Sequence, residues 1–376
     1  MGVSSFPPAE GGGEAGGFYY NITAAGTYTV DLAAGLYDVR STAPVTVGGV
    51  AVDGNAGLLN YPSGVASLVA VAQYDLDDWT SRTSGFGSGY ILVVTHGDVL
   101  YVAGGDSGTM TTSPDGITWT SRTSGFGSTV IRSVGFGNGL YVAIGDLGTM
   151  TTSPDGITWT TRTSGFGTTR IRSVTHGDGL YVAGGDSGTL TTSPDGITWT
   201  SRTSGFGSAG IYVVTHGDGL YVAGGATGTM TTSPDGITWT TRTSGFGSGY
   251  INGVTHGDGL FVAVGDSGTL TTSPDGITWT SRTSGFGTAG IYGVTHGDGL
   301  FVAVGATATM TTSPDGITWT SRTSGFGTTS IRGVTHGDGL FVAGGLSGTL
   351  TTNAVPAFTP AALSLEPKSP LISLPA

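Results

Sequence analysis

The phrase Thr-Thr-Ser-Pro-Asp-Gly-Ile-Thr-Trp-Thr begins at residues 111, 151, 191, 231, 271 and 311, a spacing of forty that never slips. Seven tryptophans, Trp79, Trp119, Trp159, Trp199, Trp239, Trp279 and Trp319, keep the same phase. Between these landmarks lie short runs of Val, Ile, Tyr and Thr bounded by Gly and Asp, which is how strands and their turns read. Strand-rich repeats of about 40–45 residues predict a β-propeller.

One repeat, residues 89–123, divides into four strand-like segments. Residues 91–95 form an inner strand A, 100–103 a strand B, 109–112 a strand C and 117–123 an outer strand D. Gly97-Asp98 and Pro114-Asp115-Gly116 supply hairpin turns, and Asp and Gly there suit the positive φ that tight hairpins demand. The ends of the array set the number of blades. It opens on a lone D-type strand around Trp79 and stops after a C-type strand at 348–352. Pairing these two closes a ring of seven four-stranded blades and leaves no open edge. The expected fold class is therefore all-β: a seven-bladed propeller preceded by a small β domain.

Four zones follow. Residues 1–17 are Pro/Gly-rich and read as a flexible arm, and residues 18–75 hold aromatic and β-branched runs between glycines that read as a small β domain for docking. Residues 76–353 are the propeller. Residues 354–376 carry five prolines and read as an extended tail without regular ladders. The 71 glycines among 376 residues sit at fixed phase beside Trp, Ile and Tyr, so turns explain the excess better than disorder does. Net charge is −12 and the arginines are spread along the repeats, which argues against nucleic acid as a partner. Cysteine is absent, excluding disulfides, thiolate metal sites and a Cys nucleophile. No apolar run is long enough to cross a membrane, and the first residues lack the basic and apolar regions of a signal peptide. A soluble protein without membrane insertion is expected.

Ser113-Pro114-Asp115-Gly116-Ile117-Thr118-Trp119 resembles the Asp-box of bacterial neuraminidase repeats, one residue shorter between Asp and Gly. The resemblance covers the array through Asp115 and Trp119, Asp155 and Trp159, Asp195 and Trp199, Asp235 and Trp239, Asp275 and Trp279, and Asp315 and Trp319. It implies a structural turn in which each Asp accepts backbone N–H bonds and each Trp packs between blades. Truncating such a tryptophan to alanine would then cost about 3–5 kcal/mol. Sialidase-like hydrolysis in that family needs a glutamate to activate a tyrosine. Here the only glutamates are Glu10, Glu14 and Glu366, all outside the propeller, so a hydrolase is the least favoured reading and no catalytic residue is assigned. Near-identical blades joined to a small β domain are also similar in style to propellers of bacteriophage tail and fibre proteins.

The repeats can be aligned with one another, and their differences concentrate in two places. One is the D–A connection with the start of strand A: Tyr90, Arg132, Arg170, Arg172, Tyr212, Tyr250, Asn252, Tyr292 and Arg332. The other is the B–C loop, where Asp106, Asp146, Asp186 and Asp266 alternate with Ala226, Ala306 and Leu346. In an antiparallel blade these connections emerge on one face, and the more uniform A–B and C–D turns emerge on the other. The varied types are those of adaptable binding surfaces. Two readings stand at this level, drift of exposed loops after recent duplication and selection of a binding face.

His96, His176, His216, His256, His296 and His336 recur at the A–B turn, with Phe136 in their place once. A phenylalanine keeps the bulk and drops the ligand, and residues one blade apart are too far separated to share an ion held at about 2 Å, so no metal or cofactor is expected. The arginines at 82, 122, 162, 202, 242, 282 and 322 occupy one position in every outer strand, which fits a packing or ion-pair device. The expected function is non-catalytic binding or display on a bacteriophage virion, contacting host surface glycan or protein. Other virion proteins would be held through the N-terminal domain or tails. The alternative is a purely structural decoration protein of the particle.

Overall fold

Each 40-residue repeat builds a four-stranded antiparallel sheet in the computed structural model, which describes residues 77–354 throughout and, outside them, the backbone of several strands. In the first repeat the strands are Ile91–His96 (A), Tyr101–Gly105 (B), Met110–Ser113 (C) and Thr120–Arg122 (D). Strand D is shorter than the sequence suggested. Residues 117–119 belong to the turn instead, because the Asp115 carboxylate accepts the N–H groups of Ile117 and Thr118 and curls the chain around itself.

Seven such sheets make the propeller. The last contains Ile331–Gly337, Leu340–Gly345 and Leu350–Ala354, and its outer strand is Thr80–Arg82, from the front of the array. The register Leu350↔Arg82, Thr351↔Ser81, Thr352↔Thr80 reproduces the C–D pairing of the other blades, as in Met110↔Arg122. Asn353 Nδ2 adds a bond to the Asp78 carbonyl at 2.7 Å, taking the place of the missing turn.

The core lies between blades. Strand B is buried along its whole length, so its residues alternate between two interfaces. Val102 and Met110 of one blade pack on Phe126, Ile131, Val134, Tyr141 and Ala143 of the next, and the pattern repeats around the ring. Ile91, Ile131, Ile171, Ile211, Ile251, Ile291 and Ile331 are all fully buried. Burying one such side chain contributes about 1.5–3 kcal/mol. The invariant outer-strand arginines are hydrogen-bond devices: Arg122 Nε donates to Thr112 Oγ1 at 2.8 Å, and Arg82 makes the same bond to Thr352 across the closure.

A separate unit comprises residues 1–75 and 355–376. One sheet runs in the order Ser4–Ser5, Gly26–Leu32, Gly64–Ala70, Pro44–Val47, Val50–Asp53. The other runs Phe18–Ile22, Ala361–Lys368, Gly35–Ser41, Gly57–Tyr61. The C-terminal segment is thus a central strand, which corrects the expectation of an unpaired tail for 361–368. Prolines 360 and 367 bracket a run, Ala361 to Glu366, that keeps every backbone N–H, so the ladder forms between them. The propeller is consequently an insertion in this unit's chain, entered and left through the paired strands of one blade. The proposed arm at 1–17, apart from Ser4–Ser5, and the rest of the tail lie outside the described residues.

Candidate functional site

Every inner strand carries the same irregularity near its start. Ile91 pairs with Gly105 and Val93 with Gly104, so residue 92 is an extra residue with no partner. The bulge recurs at Ile131/Ser133, Ile171/Ser173, Ile211/Val213, Ile251/Gly253, Ile291/Gly293 and Ile331/Gly333. Bulges re-aim side chains. They also bring backbones close: a Cβ on Gly105 would lie 1.9 Å from the Tyr90 carbonyl oxygen, which is why glycine holds that position in each blade.

The bulged residues are Leu92, Arg132, Arg172, Tyr212, Asn252, Tyr292 and Arg332, and together with Tyr250 they line a recess of about 380 Å³. The same ring borders a narrower central cavity of about 210 Å³ lined by small and β-branched side chains such as Val94, Ser133, Ser173 and Val213. The bulge therefore turns the most variable position of the repeat into a ring of side chains around the propeller axis.

Behind the ring stand the B–C loops. Arg132 clasps Asp146 with Nε to Oδ1 at 2.9 Å and Nη2 to Oδ2 at 3.0 Å. Arg170 adds a bond to the same Oδ1 at 2.7 Å and lies 3.7 Å from Asp186, whose carboxylate also accepts from Arg172 Nε. Burial pulls the Asp146 carboxyl upward, but the bond and charge of Arg132 and the charge of Arg170 outweigh it and leave its pKa below the ordinary value. Asn252 Nδ2 donates to Asp266 Oδ1 at 3.2 Å and to the Ile291 carbonyl at 3.0 Å.

Aromatic rings complete the wall. The Arg172 guanidinium sits 4.4 Å above the Tyr212 ring and that of Arg332 sits 4.2 Å above Tyr292, both at cation–π distance. Tyr212 and Tyr250 meet edge to face at 5.4 Å. Burial raises the Tyr212 phenol above its usual pKa, with Arg172 opposing.

The structure brings together seven of the nine residues singled out by repeat comparison: Arg132, Arg172, Tyr212, Tyr250, Asn252, Tyr292 and Arg332. Arg170 lies beside them in a cleft of about 680 Å³ with Asp146, Leu147 and Asp186. Tyr90 is exposed, does not line the recess, and donates its N–H to Asp106 Oδ2 at 3.2 Å. Leu92 completes the ring; it varies at the same position of the repeat but is not one of the nine candidate ligand-binding residues.

The Asp-box positions stand at the opposite connections. Asp195 accepts from Ser193 Oγ, Ile197 N and Thr198 N at 2.7–2.8 Å, and Trp199 Nε1 donates to the Gly196 carbonyl at 3.1 Å. Asp115, Asp155, Asp235, Asp275 and Asp315 hold their turns in the same way. Backbone N–H groups from the following Thr and Ile, favouring the charged form, depress Asp155, Asp195, Asp235 and Asp275 to about 2. Trp199 packs on a cluster containing Val142 and Tyr181, side chains of two adjacent blades. On this face His216 Nε2 lies 3.1 Å from Asp178 of the preceding blade, and His296 and His336 repeat the contact to Asp258 and Asp298 at 3.2 Å. Asn138 stands at the corresponding position in the blade that carries Phe136.

Comparison with known proteins places this architecture among propellers. The DUF6242 beta propeller domain matches residues 206–339. No curated protein matches the chain. Among solved structures, YCF48 bound to D1 peptide is similar at 15% identity over 76% of this chain and 97% of its own, with a TM-score of 0.62. A catalytically inactive virginiamycin B lyase from Staphylococcus aureus with quinupristin superposes with a TM-score of 0.66 at 8% identity, over 74% of this chain and 99% of the lyase. The WD40 beta propeller domain of Doa1 gives 0.59 at 16% identity, over 75% and 96%. At these identities the likeness is one of fold, and the chain is an all-β seven-bladed propeller of four-stranded blades.

Proposed function

We propose that the chain is a non-catalytic binding protein whose ligand seats in the recess ringed by the bulged residues. The observation that carries this reading is coupled variation. Blades with Arg132, Arg172 and Asn252 in the ring have Asp146, Asp186 and Asp266 behind them, whereas the blades with Tyr212 and Tyr292 have Ala226 and Ala306. Independent drift would leave the two positions uncorrelated. Only the blades of Leu92 with Asp106 and of Arg332 with Leu346 depart from the pattern.

Tyrosine, arginine and asparagine are the types that contribute most where adaptable contacts are needed, and a peptide-bound propeller of similar fold supports a partner-binding role. Near-identical blades joined to a small β unit support display on a bacteriophage virion, with host surface glycan or protein as the partner. The small unit would then hold the chain to other virion proteins.

The test is a glycan array and a whole-cell binding assay with the full chain and a triple variant, Tyr212→Ala, Tyr292→Ala and Arg332→Ala. Binding by the wild type that disappears in a variant of unchanged melting temperature is expected. Equal binding by both sinks the assignment to this recess.

A further inference from the structure

Of the three guanidiniums that line the recess, two are neutralised from behind: Arg132 by Asp146 and Arg172 by Asp186. Arg332 is the exception. Its blade has Leu346 where the other two arginine blades have aspartate, and its Nε has no hydrogen-bond partner. Among the described residues no carboxylate forms an ion pair with it. It rests on the Tyr292 ring, its guanidinium carbon 4.2 Å from the ring centroid, which fixes the guanidinium plane, while its Nε is shielded from solvent. Among the described residues no acidic side chain lines the recess, in a protein of net charge −12. An uncompensated, partly buried guanidinium on the wall of a recess is a site for an anion, and its planar fork matches a carboxylate bidentately.

The rest of the lining selects the body that carries the anion. Among the described residues Leu92 is the sole aliphatic side chain of the lining; the others are three tyrosines, Asn252 and the arginines. Tyr250 is 44% exposed and offers its ring to the opening. Phenol hydroxyls, an amide and an open aromatic ring suit a polyhydroxylated ring better than an apolar peptide side chain, which finds only Leu92 to pack on.

We infer that the recess binds an acidic sugar, a hexuronic acid at a glycan end, with its carboxylate on Arg332 and its ring against Tyr250 and Tyr292. This rests on the reading of the recess as a binding site and adds the chemical class of the ligand.

The experiment is calorimetric titration of the full chain with trigalacturonic acid, its methyl ester, and a short peptide with a free C-terminal carboxylate. Two variants separate charge from folding. Arg332→Leu removes the cation, and Leu92 shows that leucine is accommodated at this ring position. Leu346→Asp keeps the cation but neutralises it as Asp146 and Asp186 do for their arginines.

Expected are binding of the acid by the wild type and weakening of about tenfold to a hundredfold in each variant and for the methyl ester. Equal binding of acid and ester, or undiminished binding of the acid by Leu346→Asp, overturns the inference, as does failure of the acid to bind at all. Binding confined to the peptide overturns it in favour of a protein terminus. A neutral glycan that is lost in the triple variant but unaffected by Leu346→Asp would leave the recess reading standing and remove the carboxylate.

Discussion

At the scale of single residues, the same tryptophan carries different weight in different surroundings. Trp79 is buried, 8% exposed, whereas the six Asp-box tryptophans are only partly buried, with one face on the inter-blade cluster and the indole N–H tied to the turn. Trp199→Ala is therefore expected to cost about 2–3 kcal/mol, less than the 3–5 of a fully buried ring. Chemical denaturation of the variant measures it. The identity of the turn residues was plain in the repeated phrase, and so was the role of Asp195, since a carboxylate before Gly and Thr at a hairpin has backbone N–H groups within reach. How much of each indole stays in water depends on Leu140 and Tyr181 from two blades, and nothing local in Trp199 records that.

At the scale of elements, the closing strand and the bulge are the decisive pieces. Deleting residues 78–82 would leave the strand Leu350–Ala354 as an open edge and unsatisfy Thr352, which accepts from Arg82 Nε at 2.9 Å. A lower melting temperature and self-association are expected, read by thermal unfolding and size-exclusion chromatography. A variant that melts and elutes as the wild type would show that the ring does not depend on this closure. The unmatched first D strand made the closure legible in advance. The bulge was not. Residue 92 looks like any strand residue, and only the register against Gly104 and Gly105 reveals that it is extra and turned to the axis. Strand D is shorter than its residue types suggest for a related reason: Ile117 and Trp119 have strand-forming side chains, but Asp115 captures the backbone N–H groups of Ile117 and Thr118 first.

At the scale of the whole molecule, acid should loosen the ring in two stages. Burial holds His176, His296 and His336 below their ordinary pKa of 6.5, with the Asp258 and Asp298 carboxylates opposing at the latter two. A base depressed in this way binds fewer protons folded than unfolded, so its stabilisation is complete above about pH 6.5 and declines as pH falls through the window below it. The Asp-box carboxylates, depressed to about 2, act later: their contribution is present above the unfolded value near 4 and is lost toward pH 2. Melting temperatures recorded from about pH 7.5 down to about pH 5 should fall less for His176→Phe than for the wild type, and Phe136 indicates that the ring accepts the substitution. Parallel curves would show that His176 does not titrate with unfolding.

The sequence by itself determined the number of blades, the strand order within each and the face on which variation gathers. All three follow from a period, and a period is a property of the chain. Tertiary structure alone decided which variable residues meet. Leu92 and Arg332 are 240 residues apart yet neighbours in the ring, because the closing strand joins the two ends of the array. It also decided that Arg332 stands without a carboxylate while Arg132 and Arg172 do not, since that depends on what a separate loop presents behind each bulge. Repetition specifies every blade alike; convergence on a common axis is what makes their differences act together.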